Sequence, residues 1–412
     1  MKKCLSVRWD KGEVLVGENN VENNCMTIHF IPAMAGDCIL VELDNNDCIL
    51  IDCGYTSTYE NELKPLLEEL NNKGCRIVLM VITHMDQDHL EGALSLIKEN
   101  GMKEEPKIIP IEEIWFNGFL GTLFSNYEFE GHRVDEISNK SMVLSKLGDL
   151  QMRLPAKSKN ISADQSKCFE ELCAENGYVL NRMFVDMACR RVNEEGSEKP
   201  AEVSFGEFQI RVLNPGIKEL DKLAHELHKQ MTRNFGKDYT ISSDPKLQKV
   251  IELMLEMHAE NNIFQEKIGV LGKKLENWIG SAKCPAVNAV NRSGIVFEFF
   301  YKGKKLLFMG DSDSSIWEKF LADSYDLIKV SHHGTYSPNK AWIEHTKAKV
   351  LLISTNGGRQ KRHPEKELLA QVILKENKRI YFNYRVHIAE ELETLTEQYG
   401  FNVEFGVRQI YL

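Results

Sequence analysis

His84-x-Asp86-x-Asp88-His89 places two imidazoles and two carboxylates in one short stretch, directly after the apolar run RIVLMVIT. These are ligand types for a divalent metal, and a pair of cations about 3.5–4 Å apart needs donors from more than one side. Alternation along an extended segment sends His84, Asp86 and Asp88 one way, and His89 falls where the chain turns into a helix. The plain alternative is a polar loop capping a helix, with Asp88 as N-cap and Glu91 three residues on. The metal reading demands more than the capping one: a further carboxylate and a further histidine, each at a strand end. Asp311 ends LLFMGD and His332-His333 end LIKVSHHG, so both demands are met. Water held between two divalent ions loses a proton near neutral pH and attacks an electrophile that one ion polarises, a chemistry shared by amide, thioester and phosphodiester hydrolysis.

Such a cluster has to be held by rigid elements, and the surrounding sequence supplies them. MTIHFIPA, GDCILVEL and CILIDCG read as strand, strand, hairpin turn at Asn45-Asn46, and strand. YENELKPLLEELNN at 59–72 has helical spacing, and RIVLMVIT at 76–83 is a buried strand. This strand–helix–strand order implies an α/β sandwich. GALSLIKEN reads as a helix and KIIPIEEIWF as another strand. VSFGEFQIRVL at 203–213 is sheet-like and ends in the turn Asn214-Pro215-Gly216. In the last third, SGIVFEFFYKGKKLLFMGD is a hairpin turned at Lys302-Gly303, and DLIKVSHHG and KVLLIST are strands. ELLAQVILKEN is a helix, and RIYFN and NVEFGVRQIYL are closing strands. Between these lie a mixed polar stretch at 120–200 and a helical one at 217–285, both expected to be insertions. His225, His228 and His258 fall on the helical stretch without ligand spacing.

Composition narrows the class. With 412 residues, 42% of them hydrophobic, the chain can bury a full core without disulfides. The ten cysteines show no Cys-x-x-Cys spacing, and no secretory leader or bilayer-spanning run is visible. A cytoplasmic protein is expected. The net charge of −10 disfavours non-specific coating of nucleic acid. Local basic turns at Lys302, Lys304 and Lys305 and at Arg359, Lys361 and Arg362 read first as solvated surface charge.

Six motifs in order, GDCILVE, ILIDCG, THMDQDH, NRSGIVF with LLFMGD, KVSHHGTYS, and IS followed by RHP, carry a resemblance. The chain resembles the metallo-β-lactamase superfamily, and within it the branch typified by the hydrolase domain of competence DNA-uptake channels. The likeness spans residues 26 to about 375 and implies one αββα sandwich over 1–412, interrupted by the two insertions. It further implies that His84 and Asp86 bind one metal, that Asp88 and His89 bind the other, and that Asp311 bridges them. One of His332 and His333 completes the second site, with a slight preference for His332. Asp52 orients the metal-binding loop from behind.

Two departures from the family pattern matter. Asp86 replaces the usual second histidine, which hardens the first site and admits Mn²⁺ beside Zn²⁺. The histidine expected near WFNGFLGTL is absent, and Asn117 is the nearest polar substitute. His363, before Pro364, matches a histidine that contacts a phosphate or protonates a leaving group in related enzymes. It reads equally well as an ordinary loop histidine. Arg292, Thr335 and Ser337 are candidate pocket residues, or simply turn and hairpin residues.

The expected function is hydrolysis of a phosphodiester, in nucleic acid or a nucleotide, through two divalent ions, with Asp88 and His363 as catalytic candidates. The resemblance extends to metallohydrolases that accompany bacterial anti-phage systems. The alternative is a partner-binding or regulatory protein that keeps the fold with little or no catalysis and meets its partner through the insertions. No membrane contact is expected.

Overall fold

The computed structural model describes residues 5–10, 13–18, 25–118, 122, 162–184, 187–225, 274–282, 286–358, 361–375 and 379–412. Much of the two expected insertions, with His228, His258 and Arg359, lies outside the described residues.

Eighteen strands are described. In chain order they are β1 (Leu5–Asp10), β2 (Glu13–Glu18), β3 (Met26–Phe30), β4 (Cys38–Leu43), β5 (Asp47–Cys53), β6 (Arg76–Val81), β7 (Ile114–Trp115), β8 (Val192–Glu194), β9 (Ser197–Lys199), β10 (Ala201–Phe205), β11 (Phe208–Asn214), β12 (Val296–Tyr301), β13 (Lys304–Phe308), β14 (Ser324–Lys329), β15 (Lys347–Ile353), β16 (Arg379–Phe382), β17 (Asn402–Phe405) and β18 (Val407–Tyr411). They form two eight-stranded sheets, ordered β1-β2-β18-β3-β4-β5-β6-β7 and β10-β11-β12-β13-β14-β15-β16-β17, plus the small hairpin β8-β9.

The strand sequences explain the layering. CILVEL and DCILIDC in β4 and β5 are apolar at nearly every position because both faces of this sheet are covered. One face carries Ile39, Val41, Ile49 and Ile51, which meet Phe297, Phe299, Leu306 and Leu352 of the other sheet in a shared core. Leu40 and Leu50 point the opposite way, onto Leu67, Leu90, Ala93 and Ile97 of the helices Lys64–Asn72 and Gln87–Asn100. Leu307, Ile328 and Leu351 likewise turn outward onto Trp342, Leu368, Val372 and Leu392, from the helices Tyr336–His345, Lys366–Leu374 and Ala389–Tyr399. The order is helix, sheet, sheet, helix, as expected for an αββα sandwich.

Two expected strands differ in detail. KIIPIEEIWF pairs as a strand only at Ile114–Trp115, beyond an isolated bridge from Ile111 to Ile77. The buried Asn100 side chain accepts from the Ile108 and Ile109 amides at 2.9 and 3.1 Å, so this backbone is satisfied without a ladder. VSFGEFQIRVL is two antiparallel strands, β10 and β11, turned at Gly206 with φ of 56°.

β5 pairs parallel with β6, and β13, β14 and β15 pair parallel with one another. The carboxyl ends of these strands gather the loops carrying Asp52, His84–His89, Asp311, His332-His333 and Ser354 at one edge of the sandwich, the general location of sites in such sheets.

Candidate metal centre

The end of β5 sets the geometry. Asp52, fully buried with a left-handed φ of 53°, accepts from the Thr83 amide at 2.7 Å and the Thr83 hydroxyl at 2.8 Å, and from His89 Nδ1 at 2.8 Å. A strained non-glycine backbone at such a point is what functional sites store. The Thr83 hydroxyl gives its proton to Asp52, so it accepts from His84 Nδ1, 2.9 Å away. One carboxylate therefore fixes the tautomer of two histidines, directly for His89 and through Thr83 for His84, and both present Nε2 to the same space. Asp52 thus lies where the sequence expected an orienting group. Thr83 was not anticipated, although it sits inside the motif THMDQDH.

The helix Gln87–Asn100 begins with Asp86 at its N-cap, and Asp88 lies in its first turn. The capping alternative, with Asp88 as cap, is thereby corrected. The Asp88 side chain instead turns inward, its Oδ2 lying 3.4 Å from His333 Nε2 and 3.8 Å from His89 Nε2. Gly36 makes this close approach feasible, since a Cβ there would sit 1.9 Å from the Asp88 carbonyl oxygen. Asp86 stands apart, its Oδ2 3.5 Å from His84 Nε2.

Asp311 enters from the loop after β13. Its Oδ2 lies 3.7 Å from His89 Nε2, 3.4 Å from His333 Nε2 and 3.9 Å from His332 Nε2. His84, His89 and Asp311 offer ligand atoms within 4.8 Å of one another, as do Asp88, His89 and His333. His332 and His333 both adopt left-handed backbone, with φ of 50° and 55°. They differ in anchoring. His333 is buried and donates from Nδ1 to the Ser354 carbonyl at 3.1 Å, which leaves its Nε2 lone pair facing Asp88 and Asp311. The His332 side chain is 34% exposed, and its Nδ1 has no hydrogen-bond partner among the described residues. The slight preference for His332 is therefore reversed in favour of His333.

Whether these residues suit a divalent ion is tested by what they leave unsatisfied. His84 Nε2 and His89 Nε2 are buried without a hydrogen-bond partner among the described residues. Such orphans are rare unless something else binds them. The electrostatics agree. Burial opposes the charged form of His89, yet Asp52, Asp88 and Asp311 outweigh it and hold its pKa well above the usual value. His333 behaves alike: burial lowers its pKa, but Asp311, Asp88 and Asp37 raise it to about 10. Burial pushes the Asp88 carboxyl up, and the neighbouring His89 and His333 bring it down to about 2. These carboxylates call for positive charge, which protons or metal ions can supply. The residues fit a divalent metal centre.

The remaining candidates divide. His363 is half-buried beside the centre, its ring centroid about 6.2 Å from that of His332 and its Nδ1 3.3 Å from the Thr335 hydroxyl. Burial, then the nearby His333 and His332, lower its pKa to about 3, so it is neutral near pH 7 and suited to hydrogen bonding rather than to giving up a proton. Thr335 is buried beside it, and Ser337 is half-buried in the first turn of the next helix. Arg292 forms an ion pair with Asp313, two residues past Asp311. Asn117 does not substitute for the missing histidine: it donates to the Cys189 carbonyl at 2.7 Å and accepts from the Cys189 amide at 3.0 Å. Its amide secures a loop, which corrects the expectation that it supports the metal site.

Two further residues at the centre stand within the motifs GDCILVE and KVSHHGTYS but were not singled out there. Asp37 precedes β4 and Lys329 ends β14. They form an ion pair, each with only 2% of its side chain exposed, and Lys329 also donates to the Gly310 carbonyl at 3.1 Å.

Among known proteins, residues 31–143 match the Lactamase_B family model, described as the metallo-beta-lactamase superfamily. No curated protein matches the chain. Solved structures similar to it include the metallo-beta-lactamase fold protein YhfI from Bacillus subtilis, at 9% identity and a TM-score of 0.35, covering 87% of this chain and 96% of that one. Another is Zn(2+)-bound PqqB from Methylobacterium extorquens, at 11% identity and a TM-score of 0.37, covering 94% of this chain and 100% of that one. Over residues 31–143 the chain is thus similar to the metallo-beta-lactamase superfamily, and its two sheets with their flanking helices form an αββα fold.

Proposed function

We propose that this protein is a metal-dependent hydrolase that cleaves phosphodiesters, in nucleic acid or nucleotides, at a dinuclear centre. The observation that carries the reading is the convergence of three imidazole Nε2 atoms, from His84, His89 and His333, on Asp88 and Asp311, with every Nδ1 held from behind. His84 and Asp86 would hold one divalent ion, Asp88, His89 and His333 the other, and Asp311 would serve both. Divalent ions there supply Lewis acidity and lower the pKa of water into the neutral range.

The chain's own groups then position the substrate. Neutral His363 and the Thr335 hydroxyl offer hydrogen bonds beside the ligands, suited to the oxygens of a phosphoryl group. Arg292 and Ser337 are further candidates for that task. The carboxylate-rich ligand set favours the hard metals used on phosphates, Mn²⁺ as well as Zn²⁺. Kinship with the hydrolase domain of DNA-uptake channels, one domain over 1–412, a cytoplasmic setting and a part in anti-phage defence are the finer elements of this reading. The eight free cysteines among the described residues, seven of them buried, suit a reducing compartment. No described helix is long and apolar enough to cross a membrane.

The deciding experiment is hydrolysis of bis(p-nitrophenyl) phosphate with added Mn²⁺ or Zn²⁺, alongside elemental analysis of the purified protein. Asp311→Ala and Asp88→Ala/His89→Ala are expected to abolish turnover and to retain the wild-type circular dichroism. Full activity in either variant sinks the assignment. One observation favours the second reading, a weakly catalytic regulatory protein: Asn117 is engaged elsewhere, and Asp86 approaches only His84 among the histidines, which leaves the first ion few ligands. Tightly bound metal without turnover on any phosphodiester would support it.

A further inference from the structure

Five carboxylates border the histidines. Asp37, Asp52, Asp86, Asp88 and Asp311 approach their nearest imidazole nitrogens to 3.8, 2.8, 3.5, 3.4 and 3.4 Å. Among the described residues, the lysine or arginine that pairs with any of them is Lys329, bound to Asp37 and 3.9 Å from Asp311 Oδ1. Burying an ammonium is costly unless its charge is matched. Here the match is the equally buried Asp37 carboxylate, with the Gly310 carbonyl accepting a further hydrogen bond from Lys329 at 3.1 Å.

Histidines that bind metal are neutral. Five negative charges against one ammonium then leave a deficit of four, which is the charge carried by two divalent ions. Without Asp37 the same centre would be over-positive when doubly loaded, and without Lys329 it would be under-neutralised.

We propose that Lys329 and Asp37 are positioning residues that act as a fixed pair of counter-charges: together they set the centre to be electrically neutral with two divalent ions. Lys329 also lies on the Oδ1 side of Asp311, which leaves Oδ2 as the oxygen facing His89, His332 and His333. This rests on the dinuclear reading above. Its consequence is that metal affinity follows the net charge of the pair rather than its hydrogen bond.

The test is competitive titration of chelator-stripped protein with Zn²⁺ against a fluorescent zinc chelator, with zinc stoichiometry from elemental analysis. The wild type is expected to bind two Zn²⁺ per chain. Asp37→Asn keeps the shape and a hydrogen-bond acceptor for Lys329 but strands one positive charge, and should weaken Zn²⁺ binding about tenfold or more. Asp37→Asn/Lys329→Met removes both charges and should return the affinity to within about threefold of wild type. A merely structural pair predicts the opposite order, with the double variant no better than the single one. Unchanged affinity in the folded Asp37→Asn protein, or no recovery in the double variant, overturns the charge pairing while leaving the metal reading intact. Fewer than two Zn²⁺ on the wild type overturns the neutrality argument at its premise, and none at all overturns the metal reading as well.

Discussion

At the scale of single residues, the centre depends on which histidine nitrogen is free. Asp52 receives the Nδ1 proton of His89 and the Thr83 hydroxyl that in turn holds His84. Asp52→Asn can donate as well as accept, and so disturbs both tautomers at once. A loss of about 10–100-fold in Zn²⁺ affinity is expected with the fold retained, checked by zinc titration beside circular dichroism. The pH behaviour has a defined sign. The folded-state pKa of His333, about 10, lies above the ordinary 6.5. Its contribution to the stability of chelator-stripped protein is therefore present below pH 6.5 and lost as pH rises towards 10. The thermal midpoint in EDTA should fall between pH 7 and 10, and His333→Gln should flatten that decline. An equal decline in both proteins would refute the assignment. The ligand types were legible in the sequence because a strand followed by a dense His/Asp loop is a local pattern. The pairing of Asp37 with Lys329 was not, although both stand in quoted motifs, because they lie 292 residues apart and only the facing of two sheets makes them a pair. Nor could spacing separate His332 from His333, since the Ser354 carbonyl after β15 decides it.

At the scale of elements, the strands and hairpins around the site followed from alternation and turn residues, and the structure agrees on β3 to β6 and β12 to β15. What pattern could not show is where a side chain displaces a ladder, as Asn100 does along residues 108–109. The loop before β4 and the start of the helix Gln87–Asn100 touch at Gly36, against backbone that cannot rotate away. Gly36→Ala should therefore cost about 1–3 kcal/mol, typical of forcing an extra carbon into a packed site. It should also displace Asp88 and weaken zinc binding. Urea unfolding and zinc titration check the two effects separately, and wild-type values in both would show that the loop yields.

At the scale of the whole molecule, the two sheets are joined by the chain itself as well as by their shared core. β17 closes one edge of the second sheet, and after Gly406 the chain crosses so that β18 inserts between β2 and β3 of the first. Val407 and Ile410 are buried there. Deleting residues 407–412 should open that sheet in its middle and lower the thermal midpoint by well over 10 °C, measured by calorimetry, whereas loss of a frayed terminus would change it little. The sandwich class was legible from element order, but the crossing was not, because NVEFGVRQIYL reads as two strands without saying which sheet each joins.

The position of β18 also bears on how the protein is made. A ribosome releases the chain from its amino end, so β2 and β3 must wait for a partner 380 or more residues downstream. Through most of synthesis the first sheet has a gap, and the loop with His84 and His89 has neither Asp311 nor His333 beside it. The strands that flank the gap thus gain their shared neighbour only when Val407–Tyr411 are made, after every candidate ligand from His84 to His333 has been synthesised.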